Sequence, residues 1–203
     1  MFASFFAKRN AKNLNDEQYR FLFEEAPLDE VVVFDTETTG LNPKKDEILS
    51  IGAVIVKENK ILTSQKFELF VKPSKDIKEE SIKIHQICNI DLENGCEPKE
   101  AMEQFLHFIG SRPLVGYYID FDVKMVNKYI KPLIGITLPN PKIEVSGIYH
   151  DKKIKLIPEG TIDLRFDVMM KDLGLPIFGK HDALNDAVMT AMMYVKLQNT
   201  AKL

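Results

Sequence analysis

Only two cysteines, Cys88 and Cys96, occur in the 203 residues. That is too few for the disulfide framework of a small secreted domain. A chain of this length buries about 70% of its unfolded surface without such staples. Long apolar runs are also missing. Stretches such as Ile51 to Val56 fall far short of the ~20 residues that cross a bilayer. The first residues, MFASFFAKRN, place their apolar side chains before the basic ones, the reverse of an export signal. The expectation is therefore a cytoplasmic protein with no membrane partner. There are no internal repeats and no low-complexity tracts, so collagenous and disordered classes are excluded. An excess of positive charge is absent too: 27 Lys and Arg face 30 Asp and Glu, a net of −3. Taken alone, that argues against holding nucleic acid by bulk electrostatics.

The average conceals an asymmetry. Val123 to Lys155 holds seven lysines against Glu144 and Asp151, a net of +5, which leaves the remainder at −8. Such a segment reads as a contact for an anionic partner or as a solvated lysine-rich loop.

The length suggests one domain with an appendage. Residues 1–30 form the appendage and residues 31–203 the domain. Within the appendage, Asn15 and Gln18 resemble a capping box, and Tyr19, Leu22 and Phe23 follow at helical spacing. Phe2, Phe5 and Phe6 precede them as apolar docking residues, either for the domain or for a partner. Val31 to Phe34 is a β-branched apolar run typical of a strand covered on both faces. Ile48–Lys57 and Ile61–Val71, joined by Glu58-Asn59, read as a hairpin. Helices are expected over Glu100–Ile109, Phe121–Ile130, Leu164–Leu173 and Ala183–Leu197, with a short strand at Leu114–Tyr118. Gly174 stops the third of these helices and Asp182 caps the fourth. The Pro-rich stretch from Pro132 to Gly160 carries short strands at Lys142–Val145 and Ile154–Ile157. A hairpin followed by alternating helices and strands implies an α/β domain with a mixed sheet.

The chemistry concentrates in acids. FDTETTG, Phe34 to Gly40, follows the first strand at once. Side chains two apart on a strand share a face, so Asp35 and Glu37 stand side by side. Two ionised carboxylates at a buried sheet edge call for a positive group between them, and a hard divalent cation suits oxygen ligands. Read alone, the pair also fits two solvated acids in an ordinary turn. Asp122, in LVGYYIDFD, opens a helix where any acid is favoured by the dipole. In HDALNDA, Asp186 sits among Leu184, Ala187 and Val188, where an acid is costly unless paired or metal-bound. His181 stands five residues before it, at the mouth of the last helix.

Asp35, Glu37, Asp122 and Asp186 in this order, with His181 five before the last, resemble the three motifs of the DnaQ-like 3′-5′ exonucleases of the DEDDh class. Proofreading subunits of replicative polymerases and stand-alone nucleases belong to that family. The sister class places Tyr four residues before the final acid, where this chain has Asp182. The resemblance runs from Val31 to Leu197. It implies a ribonuclease H-like fold, with a five-stranded mixed sheet flanked by helices. It implies two Mg²⁺ or Mn²⁺ ions about 4 Å apart, held by Asp35, Glu37, Asp122 and Asp186. His181 would be the general base, and nucleoside 5′-monophosphates would leave one at a time from the 3′ end.

The same resemblance implies substrate contacts at Thr38, Thr39 and the wedge position Leu41, and at His85 in the element His85-Gln86-Ile87. Where the family often has His-Asn, this chain has Tyr117-Tyr118, and Tyr118 would bond or stack in place of the missing Asn. His85, Cys88, Cys96 and His107 match the spacing of no zinc module. The expected substrate is single-stranded nucleic acid, with DNA favoured. RNA trimming is the alternative, since a 2′-hydroxyl contact would be the discriminator. A non-catalytic subunit that binds a DNA polymerase or another protein through the aromatic N-terminus is a third reading. The Pro132–Gly160 insertion and the short C-terminal QNTAKL point to a stand-alone or accessory enzyme. Two bound divalent ions would bring the net charge to about +1, and the +5 segment would then offer a path for phosphates.

Overall fold

The computed structural model describes residues 11–75, 77, 81–83, 86–155, 160–179 and 181–199. Strand β1 (Glu30–Thr38) is the centre of the sheet. Its Val32, Val33 and Phe34 are almost wholly buried, as a strand covered on both faces requires. The strand runs past the apolar stretch to Thr38, because β2 (Ile48–Lys57) pairs with it as far as Thr38 opposite Ile48. The expected hairpin joins β2 to β3 (Lys60–Phe70). Glu58 and Asn59 both adopt positive φ, 48° and 61°, the left-handed geometry that matches strand twist in a two-residue turn.

Two short strands complete the sheet, β4 (Leu114–Gly116) and β5 (Lys142–Glu144), in the order β3-β2-β1-β4-β5. β4 and β5 run parallel to β1, β2 runs antiparallel to β1, and β3 antiparallel to β2. The helices are α1 (Asn89–Leu92), α2 (Pro98–Ile109), α3 (Ile119–Ile134), α4 (Val145–Lys153), α5 (Phe166–Asp172) and α6 (Ala183–Asn199). This is the five-stranded mixed sheet flanked by helices that the sequence implies.

Alternation along β1 assigns its two faces. Val32 and Phe34 meet Phe105 of α2 and Val126 of α3, together with Tyr19 and Leu22 from the N-terminal segment. Val33 faces α6 through Ala191, with Val54, Val56 and Val115 beside it. The far side of α6 (Met189, Met193, Leu197) packs on Val145 and Tyr149 of α4 and Met169, Met170 and Leu173 of α5. Continuing the alternation, Thr36 falls on the α3 side, and Asp35 and Glu37 fall on the α6 side.

Several local expectations need correction. The helix expected in the N-terminal segment is a 3-10 helix, Glu17–Phe23, and its cap differs from the expected one. Its cap is Asp16, which accepts from the Gln18 backbone N–H and side chain at 2.9 and 2.7 Å. Asn15 is not the cap; its backbone N–H donates to the Ile134 carbonyl at 2.9 Å. The proposed strand at Ile154–Ile157 fails where it is described, since Ile154 and Lys155 form the turn that closes α4. That helix begins at Val145, directly after β5, between the two short strands expected in the Pro-rich stretch. α3 also passes through Pro132 and ends at Gly135, φ 86°. Burial of Ile130 and Ile134 outweighs the hydrogen bond that proline removes. Phe2, Phe5, Phe6 and His85 lie outside the described residues.

Candidate active site

The carboxyl ends of the three parallel strands meet at one edge, the usual place for a crevice in an open α/β sheet. β1 delivers Asp35 and Glu37 there. β4 leads into α3, whose first turn carries Asp122, and β5 ends on Glu144. Asp122 is only 4% exposed. Its Oδ1 accepts from the Thr36 N–H at 3.1 Å and the Thr36 hydroxyl at 2.6 Å. The residue between the two β1 acids therefore holds the acid from α3.

The fourth acid arrives with α6. Asp182 caps this helix by accepting from the Asn185 N–H at 2.8 Å. His181, at φ 63°, turns its backbone N–H onto Asp186 Oδ2 at 3.0 Å. The first turn of α6 reaches the acids because it lies directly on Gly52. That glycine is paired with Asp35 across the β1–β2 ladder. A Cβ on Gly52 would stand 2.1 Å from the Leu184 nitrogen and 2.2 Å from the Ala183 carbonyl carbon.

A cleft of about 1060 Å³ is lined by Asp35, Glu37, Asp122, His181 and Asp186, with Leu41 and Tyr118 also on its wall. Thr38 and Thr39 are not among the lining residues. The Thr38 hydroxyl donates to the Gly40 carbonyl at 2.8 Å, and the Thr39 hydroxyl accepts from the Glu47 N–H at 2.9 Å. Both hold the turn that presents Leu41. Of the basic segment, Lys142 lines the cleft, whereas Lys128 turns to the Asp46 carbonyl and Lys153 to Asp172.

So many carboxylates in one place are held away from their ordinary state. Burial, then Asp122, Asp186, Glu37 and Asp182, raise Asp35 well above the usual carboxylate range. Burial, then Asp186, Asp122 and Asp182, push Glu37 up to about 8. Burial lifts Asp122 to about 7, even though the Thr36 hydrogen bonds pull the other way. Lys142, the one lysine among the lining residues, is already paired with Asp120. The charge is therefore not balanced from within the cleft wall. A divalent cation fits the donor set: one donor atom from each of Glu37, His181 and Asp186 lies within 4.8 Å of the others.

A stability prediction follows from these directions. Glu37 and Asp122 bind protons more tightly folded than unfolded, so their contribution is full below about pH 4 and is lost as pH rises towards 8. Glu30, Asp120 and Asp163 are held below their ordinary values and act only at the acid end, outside the window from pH 5.5 to 8.5. Across that window the metal-free protein should lose on the order of 5 °C in Tm, measured by calorimetry in chelator. A Tm that rises with pH would contradict this.

Three residues that shape the site escaped the sequence reading. Gly52 is an isolated glycine within a strand pattern, itself a signal for close backbone approach. Thr36 was hidden between two more conspicuous acids. Glu144 lies on the short strand expected at Lys142–Val145 and lines the cleft, but in the sequence it stands out only as one of two acids within a basic segment.

A family model described as Exonuclease (RNase_T) matches residues 32–194. The PolC-type DNA polymerase III of Thermotoga petrophila is 32% identical over 184 residues, covering 91% of this chain and 13% of that protein. The DNA polymerase III epsilon subunit of Aquifex aeolicus is 32% identical over 166 residues, 82% of this chain and 79% of that protein. The chain thus spans about an eighth of the PolC relatives and most of this epsilon relative. E. coli exonuclease I, solved with a dT13 oligonucleotide, superposes with a TM-score of 0.70 at 16% identity, covering 84% of this chain and 41% of that one. Exonuclease X, solved with 5′-overhanging duplex DNA, gives 0.65 at 22% identity, covering 84% and 92%. These likenesses establish a shared fold. Among the described residues no helix is long and apolar enough to cross a membrane. The match from the start of β1 into α6, over the strands and helices that bring the acids together, shows that the chain belongs to the Exonuclease (RNase_T) family.

Proposed function

We propose that the protein is a metal-dependent 3′-5′ exonuclease that releases nucleoside 5′-monophosphates from single-stranded DNA. The observation that supports this most is the gathering of Asp35, Glu37, Asp122, Asp186 and His181 in one cleft. Asp35, Glu37, Asp122 and Asp186 would hold two divalent cations, Mg²⁺ or Mn²⁺. When bound, such ions activate a water and offset charge on the leaving 3′ oxygen. His181 is exposed at the lip and is tethered to Asp186 through its backbone, with an imidazole nitrogen within 4.8 Å of carboxylate oxygens of Glu37 and Asp186. It would accept the proton of the attacking water as the general base.

Leu41 and Tyr118 are 86% and 59% exposed on the cleft wall. An apolar wedge and an aromatic face suit the terminal nucleotide, and base–aromatic stacking contributes about 1–3 kcal/mol per base. Thr38 and Thr39 would act through the turn that carries Leu41, and His85 would approach the terminal base or sugar. DNA is favoured because the similar proteins are named as DNA polymerase III components, and one fold neighbour was solved with dT13. Relatives named as DNA polymerase III components support a DNA polymerase as partner; residues 1–30 would be the docking segment, and the cytoplasm the compartment.

The test is digestion of matched single-stranded DNA and RNA, labelled at the 5′ end, by the full chain. Stepwise shortening of DNA from the 3′ end, at least about tenfold faster than RNA, is expected where a 2′-hydroxyl contact is missing. Faster digestion of RNA would move the substrate class to exoribonuclease. No digestion of either would favour the interaction subunit.

A further inference from the structure

Glu144 lines the same cleft as the four acids, yet its bonds set it apart from them. The reason lies at the start of α3. Tyr118 occupies the cap position of that helix in a left-handed conformation (φ 54°, ψ 36°) and offers no side-chain cap. The first N–H groups of any helix need acceptors from outside it. Here the acceptor comes from the neighbouring strand. The parallel β4–β5 ladder sets Glu144 opposite Gly116. From there Glu144 Oε2 accepts from the Ile119 N–H at 3.0 Å. Its Oε1 accepts from the Ser146 N–H at 3.1 Å and the Ser146 hydroxyl at 2.7 Å, capping α4 as well.

We infer that Glu144 is a positioning residue for Asp122: one carboxylate caps α3 and α4 together and fixes the turn that carries the acid into the cleft. Both Glu144 oxygens are held by protein donors, whereas the bonds from Thr36 to Asp122 fall on Oδ1 alone, so Glu144 serves as a brace beside the acid. Asp122 lies three residues beyond Ile119, on the helical turn that the cap closes, so a loosened cap displaces it relative to Thr36. Outer groups that orient a ligand typically change metal affinity about 10–100-fold when removed. A carboxylate is required because Glu144→Gln keeps one acceptor oxygen and replaces the other with a donor, so only one helix remains capped.

This inference rests on the metal-site reading above, and its test separates the two. Amide exchange by NMR and Mn²⁺ affinity by calorimetry are measured on the full chain, for wild type, Glu144→Gln and Ser146→Ala. Glu144→Gln should speed exchange at least tenfold at Ile119 or at Ser146, whichever N–H faces the amide, and weaken Mn²⁺ binding about tenfold. Ser146→Ala removes one hydroxyl donor and spares the Ile119 bond, so it should leave Ile119 exchange unchanged. Unchanged exchange and affinity in Glu144→Gln would overturn the inference. So would abolished Mn²⁺ binding with Ile119 and Ser146 both still protected, which would make Glu144 a ligand. A wild type that binds no Mn²⁺ counts against the metal-site reading, while Ile119 exchange still reports on the cap.

Discussion

Gly52→Ala should cost about 3 kcal/mol of stability and, with it, most of the nuclease activity. The added Cβ would stand 2.1 Å from the Leu184 nitrogen, 2.2 Å from the Ala183 carbonyl carbon and 2.4 Å from the Leu184 Cα. All three are backbone atoms, so no side chain can rotate aside. Either α6 lifts from the sheet or β2 bows away from it. Overpacking of this kind costs about 1–3 kcal/mol and sometimes more. For a chain of this size that lowers Tm by about 6–12 °C. Lifting α6 also withdraws Asp186 and His181 from Asp35 and Glu37. A displacement near 1 Å costs about 10²-fold in rate. A calorimetric scan and an activity assay well below the new Tm separate the two losses. Wild-type Tm and activity in Gly52→Ala would show that α6 does not depend on this contact.

Asp35→Asn should have the opposite effect on stability and a larger one on activity. Its carboxylate is strained by burial and by Asp122, Asp186, Glu37 and Asp182. An isosteric neutral amide removes that repulsion. In chelator at pH 8 the variant should therefore melt about 2–5 °C higher than wild type, a gain of roughly 1 kcal/mol. The same change deletes an anionic ligand from the site proposed for the cations. If that ligand supplies about 4 kcal/mol of transition-state stabilisation, nucleotide release falls about 10³-fold. Gain of stability with loss of function is the signature of an acid kept for chemistry. A destabilised Asp35→Asn protein, or one with unchanged activity, would assign Asp35 to the scaffold.

Much of the fold is legible in the chain because its strongest signals are local. The run Val31 to Phe34 and the two-residue turn at Glu58-Asn59 define the central strand and hairpin without outside information. The three acidic motifs are also local, each attached to a strand end or a helix start. What escaped depends on contacts between distant segments. Gly52 matters because α6, more than a hundred residues later, lands on it. Glu144 matters because β5 pairs with β4 and so faces the start of α3. The helix α4 escapes because Glu144 is an uncommon cap and the segments on either side, Lys142–Val145 and Ile154–Ile157, read as strands. The 3-10 helix at Glu17–Phe23 contributes Tyr19 and Leu22 to the main core, a placement that periodicity within the segment does not reveal.

The most direct measurement follows the products from 3′-labelled single-stranded DNA incubated with the full chain, in Mn²⁺ and in chelator, with Asp35→Ala in parallel. A 3′-5′ exonuclease working through this cleft releases nucleoside 5′-monophosphates only with the divalent ion, and Asp35→Ala releases almost none. Release of longer fragments, release that persists in chelator, or undiminished release by Asp35→Ala would contradict it.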